Sequence, residues 1–494
     1  EIRNAIANRL ETADSAVYEV LQHAVLMLRD KTEPVFRERA EIVTDVCRRL
    51  VGCLQGHDMA ALELSEPAIV CAKELTPSEM IHLNPEKLLG VVLDEGGETS
   101  HAAILTRLFG VPAIVGMKNF SQAFDNGTPA IINGNSGKII IHPDDETLAK
   151  YQRKIEKFQK YRQQLENIRD TEAITKDGVR IYLHANIELP IELKAVHNVN
   201  ADGVGLFRTE YLYLSQEVLP SEEEQYRAYR EVAEALSPKP VVIRTFDLGG
   251  DKIPSGMSHH REPNPFMGWR AIRVSLARPE LFRIQLRAIA RAAVYGNISI
   301  MFPMVIGLGE FRTAKEMFLT VCNELARQHI PHNCNVPIGV MIEVPSAAIL
   351  VDLFAREADF LSIGTNDLTQ FTLAVDRSNP FVTDLYQPFH LSVLRLIQQI
   401  IDSGNRANCK VSICGELGGN SVAAPLLIGM GMRHFSMSPM LIPEIKAIVQ
   451  ATTVDECKQT AETVFSLATS QEITDYLRQT IRKRFADLPI WFGR

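Results

Sequence analysis

Gly339-Val340-Met341-Ile342-Glu343-Val344-Pro345-Ser346 and Phe360-Leu361-Ser362-Ile363-Gly364-Thr365-Asn366-Asp367 are the stretches whose pattern decides the fold. Each is an apolar run of strand length that stops at a polar cluster, and the interval between them has the length of a helix. The same unit recurs from about residue 178 onward. Its strand candidates are Ile181–Ile187, Gly203–Phe207, Val241–Thr245, Ile298–Met304, Gly339–Ile342, Phe360–Ile363, Val411–Ile413 and Phe435–Met437. Strands alternating with helices over roughly 250–300 residues predict a (β/α)8 barrel, with a doubly wound open sheet as the alternative.

In such a barrel the chemistry gathers at the C-terminal ends of the strands. Here those ends carry Arg208-Thr209-Glu210, then Arg244 followed by Asp247-Leu248-Gly249-Gly250-Asp251-Lys252, and Pro303-Met304. Further round come Glu343-Val344-Pro345-Ser346, Gly364–Asp367 with Arg377 behind it, and Cys414-Gly415-Glu416. One strand-end arginine is ordinarily a rim salt bridge. Three arginines with two acids, an asparagine and a cysteine on one mouth point instead to a small, densely charged phosphorylated acid, because guanidinium forks match phosphate and carboxylate geometry. Glu343 and Asp367 are hard oxygen ligands suited to Mg²⁺, although either alone would equally pair with a rim arginine. Asn366 can donate to a phosphate or carboxylate oxygen. Spacing leaves Cys414 open between a small buried hydrophobe and a protonated thiol that gives its proton to carbon.

Upstream, the chain divides by character. Residues 1–55 are helical in pattern, with one face through Ala13, Val17, Val20, Leu21 and Ala24 and a second through Phe36, Ile42, Val43, Val46 and Leu50. Residues 56–143 form a small α/β domain, with short apolar runs at 67–72, 88–93, 111–116, 129–132 and 138–141. Residues 144–175 are charged and glycine-free with a stripe through Leu148, Tyr151, Ile155, Phe158, Tyr161 and Leu165, which predicts a linker helix before the barrel of 176–494. Within the α/β domain, Gly96-Gly97-Glu98-Thr99-Ser100-His101 leads into the apolar run Ala102–Leu105. A histidine in the first turn of a helix meets free backbone N–H groups and the positive end of the dipole, a place to hold a phosphoryl group on an imidazole. A capped glycine turn with an incidental histidine is the other reading of those six residues.

At 494 residues the chain is too long for one ordinary core. Its net charge of −8 gives no electrostatic reason to expect nucleic acid or an anionic membrane. No apolar run reaches membrane-spanning length. The eight cysteines are scattered with no CxxC pair, which predicts reduced thiols and a cytoplasmic protein, not a disulfide framework or a zinc site. The chain opens on Glu1 in a helical pattern, so further residues are expected upstream.

Together these stretches resemble the Enzyme I family of the bacterial phosphoenolpyruvate-dependent sugar phosphotransferase system. The resemblance is carried by Gly96–His101, Asp202–Glu210 (DGVGLFRTE), Arg244–Lys252 (RTFDLGGDK), Asn264–Arg270 (NPFMGWR), Met341–Ala347 (MIEVPSA), Ile363–Arg377 (IGTNDLTQFTLAVDR), Cys414–Leu417 and Phe435–Ser438, in the family's order along nearly the whole chain. It implies that phosphoenolpyruvate binds at the barrel mouth with Mg²⁺. Arg208 and Arg244 then match phosphate clamps, Asn366 and Arg377 also touch substrate, and Arg270 is a further phosphate contact. Glu343 and Asp367 match metal ligands, with Asp367 also beside the substrate. His101 would attack phosphorus through Nε2, and Cys414 would protonate the methylene carbon of enolpyruvate. The resemblance also implies a mobile phosphohistidine domain, a histidine-containing phosphocarrier protein as acceptor docking on residues 1–55, and a homodimer formed through the barrel. Missing upstream residues would make the chain N-terminally incomplete or part of a multiphosphoryl transfer protein. Glu98 stands where the family often has a basic or neutral residue, and an acid there would raise the pKa of His101. The rivals are a pyruvate phosphate dikinase-like enzyme without its ATP domain and a non-catalytic phosphorelay protein.

Overall fold

The computed structural model describes residues 2–29, 40, 43–44, 46–47, 50–54, 64–75, 79–80, 83–84, 86–95, 106, 110–134, 136–214, 219–249, 262, 264–377, 379 and 381–485. They fall into two compact units, Glu1–Ile155 and Glu156–Arg494.

The first unit opens with helices Ile2–Arg9 and Ala13–Arg29. Ala16, Val17 and Val25 are buried on the second of these, one face of a 3.6-residue period, while Ala13 at its first turn is exposed. In the following segment the expected stripe is not the buried one. Ala40, Thr44 and Cys47 are buried at spacings of four and three, and Val46 and Leu50 are exposed, so the smaller residues pack inward. Phe36 and Ile42 lie outside the described residues. Next come β1 (Ala68–Ala72), β2 (Leu88–Leu93) and β3 (Ala113–Ile114) in one parallel sheet, and β4 (Ala130–Asn133) with β5 (Lys138–Ile141) as an antiparallel pair. Leu88, Val91 and Leu93 of β2 pack with Leu75, Met80 and Leu83. The helix Asp145–Asn167 follows, and of its predicted stripe only Tyr161 is buried.

The second unit is the barrel. β6 (Tyr182–Ile187), β7 (Val204–Arg208), β8 (Pro240–Arg244), β9 (Asn297–Phe302), β10 (Ile338–Ile342), β11 (Phe360–Ile363), β12 (Lys410–Ile413) and β13 (His434–Met437) pair in parallel in that order. The barrel closes where His434, Phe435, Ser436 and Met437 pair with Tyr182, Leu183, His184 and Ala185. The eight predicted strands are these eight, and the open sheet is excluded by the closure. Alternate residues of each strand face out toward the helices, and one core runs through Leu183, Ala185, Ile187, Leu361, Ile363, Val411, Ile413, Phe435 and Met437. Phe246, Phe282, Phe302, Phe311 and Phe354 extend that core as a run of edge-to-face contacts, with ring centroids 6.0–6.2 Å apart. Inside the barrel Leu206, Met301, Met341, Phe360 and Cys414 form a separate cluster.

One cysteine expectation is overturned. Cys322, near the end of the helix Leu308–Arg327, and Cys334, in the loop after it, are joined as a disulfide with Cα atoms 6.1 Å apart. Scatter along the sequence gave no sign of it, because the helix end folds back on its own exit loop. Among the described residues the other six cysteines form no disulfide.

Candidate active site

The mouth is built on strand ends, and its centre is a chain of buried charges. Arg244, the last residue of β8, is 6% exposed, and its Nη2 donates to Glu210 Oε1 at 2.9 Å. The same carboxylate oxygen accepts the Asp247 backbone N–H at 2.8 Å. Asp247 in turn accepts both Arg270 Nε, at 3.0 Å, and Arg270 Nη2, at 2.7 Å. Arg270 Nη2 also reaches Asp367 Oδ2 at 3.3 Å. Burial works against the charge on both arginines, yet the surrounding carboxylates hold each pKa above the usual guanidinium value.

What this network leaves over is as informative as what it uses. Arg244 Nε and Arg270 Nη1 are buried donors without a hydrogen-bond partner among the described residues, and Asp367 Oδ1 is a buried acceptor without one. Such groups cost roughly 1–3 kcal/mol each unless something polar completes them. Two such guanidinium N–H groups, on side chains held by their own carboxylates at the strand ends, are donors suited to an anion.

Glu343 follows β10 and accepts the Met304 N–H at 2.7 Å. Met304 has φ of 56°, a left-handed backbone that turns this amide onto the carboxylate. Burial, and then the neighbouring Asp367 and Asp247 carboxylates, push Glu343 well above the ordinary carboxylate range. Two glycines make the close packing possible. A Cβ on Gly364 would lie 2.7 Å from Glu343 Oε2, and Gly249, at φ +116°, lies so close to the backbone that a Cβ would meet Trp269 O at 2.1 Å. Glu343 and Asp367 are thus two buried carboxylates that repel each other, one with an oxygen to spare. That donor set fits Mg²⁺, which takes one or two carboxylates and completes its octahedron with water and substrate oxygens. No group of three or more metal-ligating side chains occurs among the described residues.

Cys414 lies just past β12, 2% exposed, its thiol directed at Ile363 O across 3.6 Å. Burial pushes its pKa up to about 11, with Glu343 adding to the rise and Ser362, Arg244 and Arg208 opposing it. At neutral pH the group is a thiol, able to give a proton. Arg208, at the end of β7, bonds Glu188 Oε1 at 2.8 Å at the more open side of the mouth. Asn366 is clasped to Glu416, donating to its Oε1 at 3.0 Å and accepting its backbone N–H at 2.8 Å. The backbone N–H of Arg377 donates to Gln370 Oε1 at 3.1 Å. Its guanidinium opposes the rise that burial imposes on Tyr386, whose hydroxyl donates to Asn366 O at 3.3 Å.

Arg244, Arg270, Glu343 and Asp367 are therefore brought together, Cys414 and Arg208 share their electrostatic surroundings, and Asn366 and Arg377 flank them. His101 lies outside the described residues, as does Glu98. Glu210 and Asp247 lie within these sequence motifs, which by themselves give the two acids no role. The signal was there: an acid two residues after Arg208 and another three after Arg244, at strand ends already crowded with cations.

Comparison with known proteins places these features. The family described as "PEP-utilising enzyme, PEP-binding domain" matches residues 162–454, and "PEP-utilising enzyme, mobile domain" matches residues 64–137. A phosphoenolpyruvate-protein phosphotransferase from Staphylococcus epidermidis is 40% identical over 479 residues, covering 97% of this chain and 84% of that one. One from Geobacillus stearothermophilus is 39% identical over 485 residues, with the same coverages. No described helix is long and apolar enough to cross a membrane.

Proposed function

From a chain that belongs to the phosphoenolpyruvate-protein phosphotransferase family, we infer that His101 takes the phosphoryl group from phosphoenolpyruvate held at the barrel mouth and passes it to a histidine-containing phosphocarrier protein. Phosphoenolpyruvate-dependent phosphotransfer is the family's activity. The observation that carries the placement is the pair of leftover donors, Arg244 Nε and Arg270 Nη1, beside two repelling carboxylates and a protonated thiol.

Arg208, Arg244 and Arg270 bind the phosphate of the substrate, and Asn366 and Arg377 also hold the substrate. Glu343 and Asp367 would hold Mg²⁺, which would offset charge on the phosphoryl group. His101 Nε2 forms the new N–P bond as the P–O bond to the enol oxygen breaks. The enolate accepts a proton at carbon 3 from the Cys414 thiol, giving pyruvate, and the thiolate regains a proton from solvent. Protonation at carbon makes the transfer hard to reverse. His101 then gives the phosphoryl group to the carrier, the first step of a sugar-uptake phosphorelay. We propose further that residues 1–55 dock the carrier, that the barrel forms a homodimer, and that the protein works in the cytoplasm.

The test is incubation with radiolabelled phosphoenolpyruvate and Mg²⁺ followed by mapping of acid-labile label. Label on His101, lost in His101→Ala, supports the assignment. A folded protein that releases no pyruvate and takes no label contradicts it.

A further inference from the structure

The proposed acid, Cys414, sits one residue beyond the strand pairing that ought to hold it. β12 pairs with β13 only through Ser412 and Ile413, so on that side the ladder ends before the thiol is reached. On the other side the Cys414 N–H reaches Ile363 O at 3.1 Å. The Cys414 carbonyl would be a loose strand-end acceptor but for Asn186, whose Nδ2 donates to it at 2.9 Å from β6, two strands away. Asn186 is itself fixed. The Ser436 hydroxyl, 1% exposed on β13, lies 2.5 Å from Asn186 Oδ1 and 3.3 Å from Ala185 O. Gly205 on β7 leaves room for that hydroxyl, since a Cβ there would stand 2.5 Å from Ser436 Oγ.

We propose that Asn186 and Ser436 are positioning residues for the proton donor. They replace the missing ladder bond and hold the Cys414 peptide so that the thiol faces one side of enolpyruvate. The inference rests on the acid role given to Cys414 above. A side-chain amide is suited to this place because it closes the backbone network without adding charge beside Glu343 and Arg244. Proton delivery to carbon depends steeply on aim, and a shift near 1 Å costs up to about 100-fold.

The test uses the whole chain, Mg²⁺ and (Z)-[3-²H]phosphoenolpyruvate in tritiated water, with single-turnover pyruvate formation and the chirality of the product methyl group as readouts. Asn186→Leu keeps the side-chain size and removes the donor. It should slow pyruvate formation about tenfold at saturating substrate, leave half-saturation within about twofold, and erode the chirality of the methyl group. Ser436→Ala, the milder change, should do the same to a smaller extent with little change in melting temperature. A merely structural role would lower the melting temperature and leave the chirality intact, and that result in both variants overturns the proposal. Cys414→Ala separates the two levels. If it randomises the methyl group while Asn186→Leu does not, only the positioning role falls. If methyl chirality survives without the thiol, the acid role itself falls.

Discussion

At the C-terminal ends of the barrel strands Arg244 and Arg270 are buried as charges, whereas toward the N-terminal ends His184 is buried and His434 half-buried, both as neutral rings. The arginines keep their protons because Glu210, Asp247 and Asp367 are built against them. Among the described residues no such carboxylate acts on the histidines. Burial, with Lys410 and their mutual repulsion behind it, pushes His184 down to about 3, and burial and Lys410 do the same to His434. His434 stacks between Tyr182, at 4.6 Å, and His184, at 6.0 Å. Both ends also carry buried polar atoms without partners among the described residues, both ring nitrogens of His184 included. The difference is that the upper set sits on ions already neutralised, ready for a charged ligand, while the lower set sits on groups that burial keeps uncharged. Desolvation alone therefore does not make a binding site. The supporting carboxylates do.

The comparison breaks most visibly at Arg244. Arg244→Leu leaves Glu210 buried without its cation and Asp247 with Arg270 alone, a loss of about 3–5 kcal/mol for a broken buried pair. It also removes the proposed phosphate donor, so single-turnover pyruvate formation should fall by about 1,000-fold or more. Quench-flow and urea unfolding read the two effects, and full activity in a stable variant would remove Arg244 from the site. Next in size, Cys414→Ala should slow pyruvate formation about 100-fold or more while phosphoenolpyruvate affinity, measured by calorimetry, stays nearly the same. Equal losses in both would make Cys414 structural. The thiol pKa of about 11 adds that no cysteine ionisation should limit the rate between pH 7 and 10.

At the lower end the expected effect is on stability and has a definite sign. His184 and His434 have folded pKa values near 3, below the ordinary 6.5, so the unfolded chain binds more protons between those values. Their contribution is complete above pH 6.5 and is lost as the pH falls toward 3, by at most about 1.4 kcal/mol per pH unit for each ring. Urea unfolding from pH 7 to 4 measures it, and His184→Leu should flatten the slope. An unchanged slope would mean that His184 has a partner in solution. The smallest expected change is that of the Cys322–Cys334 bond, which closes a short loop. Reduction or Cys322→Ser should cost about 3 kcal/mol or less and leave phosphoryl transfer alone.

Much of this architecture was legible in the chain. Strands such as Ile338–Ile342, buried at every position, read as unbroken apolar runs, and the polar residues that stop them are those of the mouth. Illegible parts depend on residues distant in sequence. Glu210 meets Arg244 34 positions on, Arg270 meets Asp367 97 positions on, and Asn186 meets Cys414 across 228. Local pattern reports none of these, because the barrel alone brings the strand ends together. The exposed Val46 and Leu50 mark the opposite limit, where an apolar stripe of correct period faces outward.

The central claim is that the leftover guanidinium donors of the upper end bind phosphoenolpyruvate. Calorimetric titration of the His101→Ala protein with phosphoenolpyruvate and Mg²⁺ isolates binding from transfer. Arg244→Lys and Arg270→Lys in that background keep the charge and remove the fork, and each should weaken binding by about tenfold or more. Unaltered affinity in both would contradict the account.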